Sequence, residues 1–113
     1  MLPSANRMRR SADFAAVVRA GSRARRGSVV LHRRADLTSD APIVGFVVGR
    51  SVGGSVVRHQ VTRRLRAQVA LRLDAFPQGS GTVVRALPEA ATASSADLAA
   101  DLAAGLQVLA SRQ

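Results

Sequence analysis

The sequence contains no cysteine, no lysine, no tryptophan and no tyrosine among its 113 residues. Without cysteine there is no disulfide, no thiolate nucleophile and no cysteine-based zinc site. Three phenylalanines are the only aromatics, so a core drawn from the 47% hydrophobic residues has to be aliphatic. No apolar run approaches the length of a membrane span, and the first ten residues, MLPSANRMRR, lack the apolar stretch of a signal peptide. The expected setting is therefore cytoplasmic, with no membrane partner. Acidic residues number only seven and are scattered, so no paired general acid and base is visible. His32 and His59 fall on different elements with no nearby carboxylate to orient either, and nothing sits at metal-ligand spacing. Neither a protein-only catalytic site nor a protein metal site is expected.

Arginine is what the chain has in quantity. Residues 1–72 carry 15 arginines against Asp13, Asp36 and Asp40, a net of +12. Residues 73–113 carry Arg85 and Arg112 against Asp74, Glu89, Asp97 and Asp101, a net of −2. Solubility alone does not require such segregation, and a field this one-sided points to a polyanionic partner. The charge is densest in GRSVGGSVVRHQVTRRLR, residues 49–66. A helix starting near Ser55, at about 100° per residue, places Arg58, His59, Thr62, Arg63 and Arg66 within an arc of roughly 140°. Val57, Val61 and Leu65 form a separate arc that can face a core, and Arg64 points away from the cationic stripe. No Asp or Glu falls between residues 41 and 73, so these cations have no i,i+4 partner and repel one another until a polyanion is present.

The length fits one domain, residues 1–113. Residues 1–10 read as a basic arm with little to bury and freedom to flex. Ser11 is a candidate N-cap for a short helix carrying Phe14, Val17 and Val18 and ending at Gly21. Residues 22–27, SRARRG, read as a basic linker. SVVLH, residues 28–32, is a strand candidate, and a polar turn separates it from the apolar run after Pro42. Antiparallel pairing of these two runs is the economical expectation. The arginine-rich helix is expected to reach about Ala75, ahead of Pro77. TVVRAL, residues 82–87, is a further strand. Ser94-x-x-Asp97 resembles a capping box ahead of a stripe of Leu98, Leu102, Leu106 and Leu109, in a helix that Gly105 should weaken. The order α-β-β-α-β-α implies an α+β domain, a single sheet with helices packed on one face.

Gly49–Ser55 superficially suggests a phosphate-binding loop but lacks the Walker lysine and the dinucleotide spacing; turn chemistry favours a tight strand-to-helix turn. The basic helix has no Trp or Phe with which to enter a membrane surface. A DNA reader would need the short helix-turn-helix spacing, which is missing, so no DNA partner is expected. Single-domain RNA binding remains as the reading of the stripe.

Several of these pieces together resemble the protein component of bacterial ribonuclease P, in an actinobacterial style. They are the block VVRHQVTRRLR preceded by VGFVVGRSVGGS, the N-terminal NRMRRSADFAAVVRAG, and VVRALP followed by a last helix. The resemblance covers nearly the whole chain. It implies a ribosomal S5 domain 2-like fold with a left-handed β-α-β crossover. It also implies an endoribonuclease in which a catalytic RNA subunit performs magnesium-dependent removal of the 5′ leader of precursor tRNA. Mg2+ would be held mainly by the RNA, and no catalytic residue would come from this chain. The implied partners are ribonuclease P RNA and precursor tRNA, with the protein itself monomeric. Arg58, Arg63 and Arg66 match basic positions of the family block. His59 stands where the family has Asn, Gln60 where it has Arg, and Thr62 where it has Lys or Arg. The implied contacts to the catalytic RNA are Arg58, His59, Thr62, Arg63, Arg64 and Arg66. The implied leader contacts are Phe14, Val18, Val30, His32 and Arg50, with Phe14 on the family's aromatic and Val18 and His32 where aromatics are frequent. A ribosomal or general RNA-packing protein would share the charge pattern, and an independent nuclease is the remaining alternative.

Overall fold

The computed structural model describes residues 2–112. Its elements are α1 (Ser11–Ala20), β1 (Ser22–Arg26), β2 (Val29–Arg34), β3 (Ile43–Val47), α2 (Ser55–Ala70), β4 (Gly81–Ala86) and α3 (Ser95–Ser111). They form an α+β domain with one four-stranded mixed sheet in the order β1-β2-β4-β3.

The pairing differs from the expected hairpin of β2 with β3. β2 pairs antiparallel with β1 on one side and β4 on the other, while β3 pairs parallel with β4 at the edge. Strand β2 is buried on both of its faces, as a central strand must be. Because β3, α2 and β4 form a parallel crossover, β4 returns between the two earlier strands and separates them.

Residues 22–26 form a strand, not the expected linker. Of the five residues SRARR only Ala24 points inward, so no alternation of apolar residues announces the strand. What holds it is the two-residue turn Gly27-Ser28, with Gly27 at φ 55°, which folds β1 back on β2 in register Arg26↔Val29. The Asp101 carboxylate of α3 then accepts bonds from both the Ser28 amide and its hydroxyl at 2.9 and 2.8 Å.

The helices cover both faces of the sheet. Directly paired residues share a face. Ala24, Leu31 and Val84 therefore look toward α2 and α3, where they join Val61, Leu65, Val69, Leu98, Leu102 and Leu109 in the main core. Each such fully buried aliphatic side chain contributes about 1.5–3 kcal/mol. On the opposite face α1 packs Val17 on Val83, with Met8 beside them and Phe14, Leu37 and Ile43 partly buried around them. An expectation of helices on one face fails because the apolar stripe of α1 closes a second, smaller core.

The α3 stripe is buried as expected and the Ser94/Asp97 capping box forms. Gly105 has a packing reason, since a Cβ there would stand 2.6 Å from the Leu31 side chain. At α1 the expected Ser11 cap does not form: Arg10 occupies the cap position and no side chain bonds the first turn. Helix α2 stops at Ala70, and a short 3-10 turn, Leu73–Ala75, replaces its expected last turn. Arg33 is the exception within the main core. It is 3% exposed, its Nε donates to Thr82 Oγ1 at 3.0 Å, and its guanidinium lies 5.2 Å from the centre of the Phe76 ring. Burial lowers its pKa, although arginine stays charged.

Candidate nucleic-acid interface

Helix α2 divides by side as its sequence dictates. Val61, Leu65 and Val69, at i, i+4 and i+8, are buried. His59, Gln60 and Arg63 are exposed, and Arg58, Thr62, Arg64 and Arg66 are half-buried. Thr62 donates its hydroxyl to the Arg58 carbonyl at 2.8 Å. Arg64 turns away, its guanidinium 3.5 Å from the Ala93 carbonyl near the start of α3. Among the described residues the salt bridges are Arg25–Glu89 at 4.0 Å and Arg34–Asp36 at 3.1 Å, and neither involves an α2 arginine. The Nε atoms of Arg58 and Arg66 are out of solvent with no hydrogen-bond partner.

The N-terminal arm has more to bury than its composition suggests. Leu2 is 1% exposed in the main core and Met8 is 7% exposed in the smaller one. Between them Arg7 forms a parallel bridge with Val44 of β3, the Met8 amide donates to the Val44 carbonyl at 2.9 Å, and the Asn6 side chain donates to the Pro42 carbonyl at 2.9 Å. The arm thus lies along the β3 edge and brings Arg7 and Arg9 opposite α2. A cavity of about 200 Å³ results, lined by Arg7, Arg9, Thr62 and Arg66 together with Phe14 and Phe46 from the two faces of the β3 edge. Arg66 sits 5.9 Å from the centre of the Phe46 ring. An adjoining groove of about 340 Å³ shares Arg7 and Arg66 and adds His59 and Arg63. No lining residue of either is acidic, so an anion in either would meet three guanidinium groups with no carboxylate in the lining.

On the α1 face, Phe14 lies over Gly45, where any side chain would collide with the ring, so the glycine is what lets the aromatic approach the strand. Val18 is 47% exposed beside it on α1. His32 and Val30 lie on this same face, but His32 is 6% exposed and Val30 wholly buried, so Val30 supports the floor and offers no surface. The His32 pKa is held below its ordinary value by burial first, then by the charges of Arg85 and Arg23. Arg50 is exposed in the turn after β3, its carbonyl accepting from the Gly53 amide at 3.2 Å. In that turn the Val52 amide likewise donates to the Gly49 carbonyl, so both amides serve the chain reversal.

A cationic helix stripe and an aromatic-bearing sheet face therefore meet at the β3 edge, with Phe14 bordering both. The model of the family described as ribonuclease P matches residues 2–110. The chain belongs to that family. The ribonuclease P protein component of Streptomyces bikiniensis is 53% identical over 117 residues, covering 96% of this chain and 95% of that protein. That of Acidothermus cellulolyticus is 55% identical over 102 residues, covering 89% and 85%. The fold is that of the ribonuclease P protein from Staphylococcus aureus, with a TM-score of 0.81 at 18% identity over 91% of this chain and 94% of that one. The Thermotoga maritima protein gives 0.75 at 21% identity, over 91% and 94%.

Four arginines near these surfaces escape a reading by helical stripe. Arg7 and Arg9 reach the α2 cavity only because the arm bridges β3. Arg23 and Arg85 reach His32 only through the strand register Arg23↔His32 and Val30↔Arg85. Alternation within SRARR and TVVRAL puts each arginine on one face of its strand, but pairing is what decides that the two faces coincide.

Proposed function

We propose that this chain is the protein subunit of ribonuclease P, binding the catalytic RNA and the 5′ leader of precursor tRNA and assisting magnesium-dependent endonucleolytic removal of the leader. The observation that carries the reading is the run of carboxylate-free arginines, Arg7, Arg9, Arg63 and Arg66, around concave surfaces that border Phe14. Each phosphate that such a cation neutralises releases counterions, which favours association with RNA. Arg58, His59, Thr62, Arg63 and Arg66 face the catalytic RNA, with Arg64 at the margin of that surface. Phe14, Val18, His32 and Arg50 face the leader, and Val30 holds the floor beneath them. Stacking on Phe14 suits a single strand of any sequence.

The described residues group no three His, Asp or Glu side chains that could hold a metal ion. In this reading the Mg2+ is held mainly by the RNA. No described helix is long and apolar enough to cross a membrane. The protein acts as a single copy in the cytoplasm. The test is cleavage of a precursor tRNA at low magnesium by the cognate catalytic RNA, with and without this protein. Stimulation that is greater for precursor than for mature-tRNA binding supports the reading; no stimulation and no binding to the catalytic RNA overturns it.

A further inference from the structure

The sheet face that carries His32 continues past α1 toward the β1 edge, and its surface there is cationic. The strand register sets two rows across the sheet. One runs Arg23, His32, Val83, Gly45, and the next runs Arg25, Val30, Arg85, Val47. Arg23, Arg25 and Arg85 are all exposed. Arg23 and Arg85 lie near enough to His32 to repel its proton from both sides. Arg25 approaches Glu89 at 4.0 Å with both side chains open to solvent, a contact too exposed to neutralise it. With strands about 4.8 Å apart, β1 and β4 stand roughly 10 Å from each other, so the arginines are spread across the face and do not converge on a point.

We infer that Arg23, Arg25 and Arg85 form a phosphate track across the sheet that holds the part of a single-stranded RNA leader lying beyond the nucleotides at Phe14. The inference rests on the leader-cleft reading above and deepens it. Its direction follows from the fold. The arginines of α2 and the arm gather at the β3 edge, and Phe14 borders their cavity, so nucleotides nearest the catalytic RNA belong at β3. A strand leaving Phe14 along the open part of the face then meets Arg85 on β4 before Arg23 and Arg25 on β1. Spread cations of this kind bind backbone and carry no sequence preference.

The experiment uses holoenzyme reconstituted with catalytic RNA and precursor tRNAs whose leaders are lengthened nucleotide by nucleotide. The probe variant is Arg23→Gln with Arg85→Gln, both at exposed positions, checked for an unchanged melting temperature. Affinity of the unmodified holoenzyme should rise with leader length and level off. The double variant should level off sooner, losing several-fold for long leaders and nothing for the shortest, with a salt slope lower by about 0.7 per arginine. Equal loss at every length, or weaker binding of the catalytic RNA without precursor, would place these arginines elsewhere and overturn the track. Phe14→Ala separates the two readings. A double variant without effect alongside a leader-sensitive Phe14→Ala sinks the track alone. A silent Phe14→Ala with long-leader loss in the double variant sinks the cleft at Phe14 and leaves the track.

Discussion

Toward α2 and α3 the sheet presents Leu31, Val84 and Val44, each no more than 1% exposed, whereas on the opposite side the same strands present His32, Arg85 and a Val47 that is 38% exposed. Two helices seal the first face; α1 alone crosses the second and leaves its own Val18 47% exposed. The first face is a core, and the second is a small core bordered by exposed residues to which the proposed function assigns the leader. Under the proposed function, leader recognition falls on the side of the sheet opposite the main core, so substitutions on the two sides should differ in kind.

The largest effect is expected on the sealed side. Leu102→Ala should cost about 2–5 kcal/mol of stability, read by chemical denaturation, while the folded protein keeps its affinity for RNA. Loss of RNA affinity at full folding would dissolve the division. On the open side, Phe14→Ala should cost about 1–3 kcal/mol of affinity for leader-bearing precursor, with mature tRNA little changed. Gly45→Ala, which pushes the same ring off β3, should give a similar leader-specific loss in the same titration. An equal loss for mature tRNA would return Phe14 to a packing role.

Arg63→Ala and Arg66→Ala should each weaken binding of the catalytic RNA by about 1.5 kcal/mol and lower its salt slope by up to about one unit. An unchanged slope in both would leave these arginines to the solvent. The smallest effect concerns His32. Its pKa is depressed in the folded protein, so the unfolded chain binds the proton more readily. The stability it protects is complete above the ordinary value of about 6.5 and is lost as pH falls below that value toward the folded pKa. The slope is at most about 1.4 kcal/mol per pH unit. Denaturation midpoints followed downward from neutral pH should show this loss, and His32→Phe should remove it; an identical pH profile in the variant would refute the assignment.

The parts of this architecture written as period were legible in the sequence. Val61, Leu65 and Val69 on α2 and the leucines of α3 repeat at helical spacing, and the structure buries them. The outward stripe of α2 followed from the same geometry. Strand β1 was not legible, because one inward alanine among four polar residues carries no alternation. Nor was the pairing of β3 with β4, which depends on where α2 returns the chain. The burial of the arm was illegible for a related reason: Leu2 and Met8 are isolated in sequence, and the bridge at Arg7 ties the segment between them to β3. Phe14 could be placed on a helix, but its approach to Gly45 required the sheet.

The bridge between Arg7 and Val44 also covers one margin of the sheet. An outermost strand offers unpaired amides and carbonyls to any other strand that drifts by. At β3 the arm occupies that vacancy, with the Met8 amide already bonded to Val44. At the other margin β1 exposes Arg23, Arg25 and Arg26, and two such margins would bring like charges together. Arg23 and Arg25, which the proposed track uses, thus also discourage strand-to-strand association, so neutralising them for a binding study should make the protein easier to aggregate.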